Sequence, residues 1–245
     1  MQVTQLWRHP IKSHGRERVA QVDLVAGQSM PWDRVWAIAH DAARAAPGAW
    51  APCANFSRAN KAPSLMAITA HLDEDAGLLT LSHPDRPDLT VKPDADPQAL
   101  VDWTMPLVPQ NRALPATVFR LPERGYTDSD FASVTLCNHA SHRAVEERME
   151  QALSLHRWRG NIWFDSAAPW VEFDWIGRDI QVGDAILRPR ERTDRCVATA
   201  ANPDTGQRDI DLLAALDSFG HQYFSVRCEV IRGGTVRTDD MVMPL

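Results

Sequence analysis

Short runs of alternating apolar and polar residues dominate this chain. "VTQLW" (3–7) and "RVAQVDLV" (18–25) alternate with a period of two, which predicts strands, and the polar "KSHGRE" between them predicts a turn. "RVWAIAHD" (34–41) reads as a third strand. Residues 42–64 lose the alternation and gain Ala, Pro and Asn, so they read as a loop. "SLMAITAHL" and "GLLTLSH" flank "DEDAG", a hairpin with Gly77 in its turn. "DLTVKP", "ATVFRL", "ASVTLC" and "GNIWFD" are further short strands, and "PDADPQALVDW" opens a short helix. "DIQVGDAILRPRE" reads as strands around the turn at Val182-Gly183-Asp184. "RCVATAA" (195–201) reads as a strand, "DIDLLAAL" as a short helix, "QYFSVRCEVIRGG" as a long alternating strand, and "TVRTDDMVMPL" closes the chain.

A period near 3.6 shows clearly in one place, "NHASHRAVEERMEQAL" (138–153). Asn138 is its N-cap, and Val145, Met149, Ala152 and Leu153 form its apolar stripe. Many short strands with few helices predict a mostly β protein, a barrel or sandwich rather than a parallel α/β sheet.

Composition narrows the function classes. The chain has 245 residues, 44% hydrophobic, 24% charged, with a net charge of -6. That profile is globular, and its mild acidity argues against a general nucleic-acid binder. No stretch resembles a signal peptide or a membrane span. The four cysteines, Cys53, Cys137, Cys196 and Cys228, show no metal-type pairing, and the expectation is a cytoplasmic protein with reduced thiols.

Chemistry gathers in three segments. Cys196 lies beside Arg195 and close to Arg192, and cationic neighbours favour the thiolate that binds metals, although Asp194 opposes them. It is followed by the turn-rich Asn202-Pro203-Asp204-Thr205-Gly206. "HPIKSHGRER" gathers Lys12, Ser13, Arg16 and Arg18 in a turn that could hold a phosphate, without P-loop spacing. "WRGN" adds Arg159 and Asn161 ahead of a strand. His139 and His142 share a helix face, but with no third ligand nearby they read as surface histidines. On these residues alone the chain is mostly β, with an anion site and one distinctive thiol.

Taken in order, the motifs "HPIKS", "DRVWAI", "ASHRAVEERM", "RWRGNIWF", "VGD", "TDRCVATAANPDTG" and "GTVRTDD" resemble the MOSC family, named for the C-terminal domain of molybdenum-cofactor sulfurase. The likeness spans nearly the whole chain. It is nearest to the two-part branch that includes the mitochondrial amidoxime-reducing component.

The resemblance implies an N-terminal β-barrel-like domain, residues 1–95, packed on a C-terminal MOSC β-barrel, residues 96–245. It implies the molybdenum cofactor, with Cys196 as the protein ligand to molybdenum. Lys12, Ser13 and Arg34 would hold the phosphate or pterin end, Arg159 and Asn161 would close the pocket, and Thr193 and Arg195 would shape the Cys196 loop. The HPIKS turn should then face that loop across one pocket.

Three departures from the family pattern shape the expectation. Thr193 stands where many relatives carry a second cysteine, His9 replaces an aromatic residue, and loop 42–64 matches poorly. No cysteine cluster of a ferredoxin-like extension is present, so electrons should come from an electron-donating reductase or a ferredoxin-type protein. The expected activity is reduction of a small N-hydroxylated substrate. The rival readings are a non-catalytic cofactor or sulfur carrier, and a cofactor-free barrel that binds another anion or a protein.

Overall fold

Strand β1 (Gln2–Arg8) runs antiparallel to β2 (Glu17–Val19) through the tight HPIKS turn, as the period-two pattern predicts. β3 (Gln21–Leu24) and β4 (Trp36–His40) follow, then a hairpin set of β5 (Thr69–Asp73), β6 (Leu78–His83) and β7 (Arg86–Val91). Helix α1 (Pro97–Thr104) is capped by the Asp96 carboxylate, and β8 (Pro115–Arg120) returns to pair with β4. The second half contributes β9 (Val134–Asn138), α2 (His139–Met149), β10 (Ile162–Asp165), β11 (Ile180–Val182) and β12 (Ala185–Asp194). It ends with α3 (Leu212–Asp217), β13 (Tyr223–Arg232), β14 (Gly234–Arg237) and β15 (Val242–Pro244). The computed structural model describes all residues, 1–245.

Eight strands form one curled sheet in the order β15-β11-β12-β13-β9-β10-β1-β2. Only β9 and β10 run parallel, because α2 crosses between them. One face of this sheet buries Leu6, Leu136, Ile162, Phe164, Leu187 and Val226 against β3 and β14. The other face packs Cys137, Trp163 and Phe224 under α2 and α3. A separate core forms around Ile11, Trp36, Ile38, Leu65, Leu79 and Leu100. α1 and β8, on the C-terminal side of position 95, pack with these N-terminal elements. The chain is therefore mostly β with three short α-helices, and its two parts share β1 and β2 as sheet members. No helix is long and apolar enough to cross a membrane.

Two sequence expectations are corrected. The "RCVATAA" segment is not a strand but a 3-10 turn over Val197–Ala200 with Cys196 at its N-cap. Thr199 donates its N–H and its hydroxyl to the Cys196 carbonyl, at 3.1 and 3.0 Å, and this local bonding outcompetes a sheet ladder. The long helix ends at Met149 rather than Leu153, because Glu150 turns left-handed (φ 52°) as its C-cap.

Candidate functional site

The tight turns and strand ends converge on one cleft. Its open space is about 940 Å³, mouth included, and every residue expected at a cofactor site lines it: Lys12, Ser13, Arg34, Arg159, Asn161, Thr193, Arg195 and Cys196. The HPIKS turn thus faces the Cys196 loop, though 183 residues separate Ser13 from Cys196 in sequence.

Lys12 and Ser13 are fixed by the Lys12 N–H donating to the Trp36 carbonyl (2.8 Å) and by the Ile11–His14 bridge. The Lys12 side chain is buried and donates to the Tyr126 carbonyl (2.7 Å) and to the Asp128 carboxylate (2.5 Å). Burial lowers its pKa, and the Asp128 charge opposes that. Burial alone would raise the Asp128 carboxyl, but the Lys12, Arg34 and Arg227 charges win and hold it at about 2.

Arg34 is placed by a buried relay. Its backbone N–H donates to the His9 carbonyl (2.7 Å), the His9 N–H donates to Asp33 (2.7 Å), and the Asp33 carboxylate pairs with the Arg34 guanidinium. That charge, set against the cost of burial, holds Asp33 well below the usual carboxylate range. Burial also keeps His9 neutral by lowering its pKa well below the usual value. Arg34 then reaches across to the Arg159 carbonyl (3.0 Å).

Ser13, Arg34 and Arg159 all have left-handed backbone, with φ of 64°, 56° and 50°. For residues with a Cβ, each such conformation costs about 1 kcal/mol or more, and such costs cluster at binding sites. Between Arg159 and Asn161, Gly160 is required for another reason: a Cβ there would meet the Cys137 sulfur at 2.2 Å.

Arg195 and Asn161 serve as braces. Arg195 gives its guanidinium to the carbonyls of Trp158 (2.8 Å) and Phe224 (2.7 and 3.1 Å) and to the Ser225 hydroxyl (2.9 Å). It lies near the stacked Trp158 and Phe224 rings, at 5.6 and 5.7 Å. Burial lowers its pKa to about 10. Asn161 accepts from the N–H and hydroxyl of Thr135 and donates to the Trp7 carbonyl, stitching β9 to β1. Thr193 accepts from the Ser225 hydroxyl (3.0 Å). These contacts set the loop that leaves Cys196 exposed at the cleft, while Cys137 and Cys228 are buried. Burial pushes the Cys137 thiol up to about 12 and raises Cys228 as well, so both remain protonated.

Sequence reading missed several lining residues: Cys53, Arg58 and Asn60 from the loop, Asp128, Arg157 and Arg227. "YTDSD" and "FSRAN" carry no period or spacing that marks them. His142, expected at the surface, is buried and accepts from the Trp158 indole (2.9 Å). No cluster of three or more His, Cys, Asp or Glu forms a metal site.

The charge balance of the cleft is lopsided. Seven cations line it, Lys12, Arg34, Arg58, Arg157, Arg159, Arg195 and Arg227, against the carboxylates of Asp128 and Asp194. Arg157 pairs with Asp209, and Arg227 with Glu191 and Asp194. Arg159 has only the Gly15 carbonyl (3.2 Å), and its buried Nη2 has no acceptor. Burial first, then the Arg34 charge, lowers its pKa to about 9. A guanidinium so placed calls for an anion.

An exposed thiol and an under-neutralised cationic cleft thus meet in one mostly β scaffold. The MOSC N-terminal beta barrel domain model matches residues 1–130 and the MOSC domain model matches residues 123–243. The chain belongs to the MOSC family.

No curated protein sequence matches it. Among solved structures, YUAD protein from Bacillus subtilis is similar at 12% identity and a TM-score of 0.47, covering 98% of this chain and 93% of that one. YiiM from Geobacillus stearothermophilus is similar at 15% identity and a TM-score of 0.35, covering 46% of this chain. The match spans about half (53%) of YiiM's own length.

Proposed function

We propose that this chain is a molybdenum-cofactor oxidoreductase that reduces small N-hydroxylated substrates, with electrons from a separate reductase or ferredoxin-type protein. One observation carries the reading: the single exposed thiol, Cys196, shares a cleft with cations that lack counter-ions. MOSC domains are associated with this cofactor, and the donor set suits it. Soft sulfur fits molybdenum, while ammonium, hydroxyl and guanidinium groups fit a pterin phosphate.

Cys196 would ligate the metal. Lys12 keeps one ammonium proton beyond the two given to Tyr126 and Asp128 and would donate it to the phosphate. Ser13 and the free Nη2 of Arg159 would add two donors. Arg34, locked by Asp33, would steady the pterin end, and Arg195, Thr193 and Asn161 hold the walls. When bound, the cofactor supplies the two-electron chemistry, and the protein supplies ligation, orientation and electrostatics. The four unpaired cysteines suit a reducing, cytoplasmic setting.

The test is metal and pterin analysis of protein made in a molybdate-replete host, with benzamidoxime reduction by an artificial donor. The expected result is bound molybdenum, turnover, and loss of both in Cys196→Ser, whose apo melting temperature stays near wild type. Wild-type turnover in that variant would refute the ligand assignment. The exposure of Cys196 also permits a second reading, a carrier that hands over cofactor or sulfur; bound molybdenum without benzamidoxime reduction would favour it.

A further inference from the structure

We propose that Arg58 forms a second anion subsite in the cleft, which takes the carboxylate of a small substrate, with Asn60 accepting from a neighbouring N–H or O–H group of that substrate. The proposal rests on reading the remainder of the cleft as the cofactor site.

Charge accounting isolates Arg58. Of the seven lining cations, four have carboxylate partners: Lys12, Arg34, Arg157 and Arg227. Arg195 lacks one but spends its donors on carbonyls and a hydroxyl. Two remain, Arg159 and Arg58, and different elements hold them. Arg159 bonds to Gly15 beside the HPIKS turn. Arg58 belongs to the loop on the Cys196 side. The next residue, Ala59, clusters with Met66 and Ala201, and Ala198 of the Cys196 turn packs against them. Two uncompensated cations in one cleft leave room for a second anionic group beside a cofactor phosphate.

The surroundings of Arg58 select the kind of anion. Its Nη1 donates to the Cys53 sulfur (2.8 Å), while Nε and Nη2 have no protein acceptor. A single free guanidinium edge matches a carboxylate through two parallel hydrogen bonds. A phosphate dianion would call for a second cation; Arg157, which also lines the cleft, gives both Nη atoms to Asp209 and to the carbonyls of Thr199 and Ala200, and only its buried Nε is left without a partner.

Asn60 supplies an independent observation. The residue lines the cleft, and its Oδ1 is buried and accepts no hydrogen bond. Its backbone carbonyl is held by Arg208 (2.7 Å), so the residue is anchored and its side-chain oxygen is left for a donor. An acceptor two residues from a free guanidinium fits a ligand that carries a carboxylate and an N–H or O–H group.

The experiment titrates benzoate and its neutral isostere nitrobenzene, neither of which carries a donor, into the purified protein by calorimetry, with molybdenum and pterin content measured on the same samples. Wild type should bind benzoate about tenfold or more tightly than nitrobenzene, the scale of a charge-assisted pair. Arg58→Gln should abolish that preference with metal and pterin content retained, and Asn60→Asp, which adds a like charge, should weaken benzoate binding selectively. Lys12→Ala, which leaves the free edge of Arg58 in place, should keep most of the preference. Circular dichroism melts check folding, and Asn60→Asp gives an independent reading should Arg58→Gln fail to fold.

The proposal is overturned by no preference in wild type, by a preference that survives Arg58→Gln, or by one lost in Lys12→Ala instead. Loss of molybdenum or pterin in Arg58→Gln would assign Arg58 to the cofactor and also overturn it. Failure of the cofactor reading shows separately, as purified wild type without molybdenum and pterin, and leaves the benzoate comparison intact.

Discussion

Replacing Gly160 by alanine probes how the site is held. Gly160 lies between Arg159 and Asn161, where the chain enters β10 beside the parallel strand β9. A Cβ at 160 would meet the Cys137 sulfur at 2.2 Å, the Trp163 indole nitrogen at 3.3 Å and the Cys137 Cβ at 3.5 Å. Non-bonded carbon contacts sit near 3.5–4.0 Å, so the sulfur must retreat by more than about 1 Å. It cannot do so freely, because Cys137 is fully buried and paired in register with Trp163. Overpacking on this scale costs about 3 kcal/mol.

Cys137→Ala removes the clashing atom and leaves the Cβ at ordinary contact distance; alone it costs about 1–2 kcal/mol for the lost packing. The double variant should then be more stable than Gly160→Ala alone, with a favourable coupling of about 2 kcal/mol. Urea unfolding followed by tryptophan fluorescence gives the three differences, since Trp158 and Trp163 are buried beside the site. Simple additivity of the two single variants would show that the sulfur is not what demands glycine, and would refute the packing argument for the "WRGN" motif.

Other expectations follow from the same contacts. Ser13→Gly relieves a left-handed residue and should raise apo stability by about 0.5–1 kcal/mol while reducing pterin retention; lowered stability in urea would refute the strain argument. Asn161→Ala leaves buried partners on Thr135 and Trp7 unpaired and should cost about 2–3 kcal/mol in urea melts, whereas a cost near zero would deny its role as a brace. Burial holds His14 at about 4, against an ordinary value of 6.5. The unfolded chain therefore binds the proton first, and stability is full above pH 6.5 and falls as pH drops towards 4. This histidine contributes about 3 kcal/mol to that fall. His9 shifts in the same direction, and equal urea midpoints at pH 7.5 and 4.5 would contradict both.

Most strands were legible because one face of each is buried, and burial of alternate residues writes a period of two into the sequence. β6 and β12 show it plainly. Long-range contacts erased the signal elsewhere. "RCVATAA" carries two β-branched residues, Val197 and Thr199, yet Arg157, some forty positions earlier, grips the carbonyls of Thr199 and Ala200 and helps fix a turn instead. The loop at 42–64 has no period, so nothing in it marked Arg58 or Asn60 as cleft residues. They reach the site because Arg208 and the alanine cluster at Ala59, Ala198 and Ala201 hold the loop there. A net charge of -6 likewise hides seven cations gathered in one cleft.

The motifs pointed to residues that line one cleft without separating two kinds of residue among them. Arg159 and Arg195 look alike in sequence, each an arginine beside a turn. In the fold, Arg195 has given its guanidinium to three backbone and hydroxyl acceptors, while Arg159 keeps a buried nitrogen with none. The first braces the loop, and the second leaves a buried donor free. Only hydrogen-bond accounting draws that line, because it depends on which carbonyls the folded chain brings within reach.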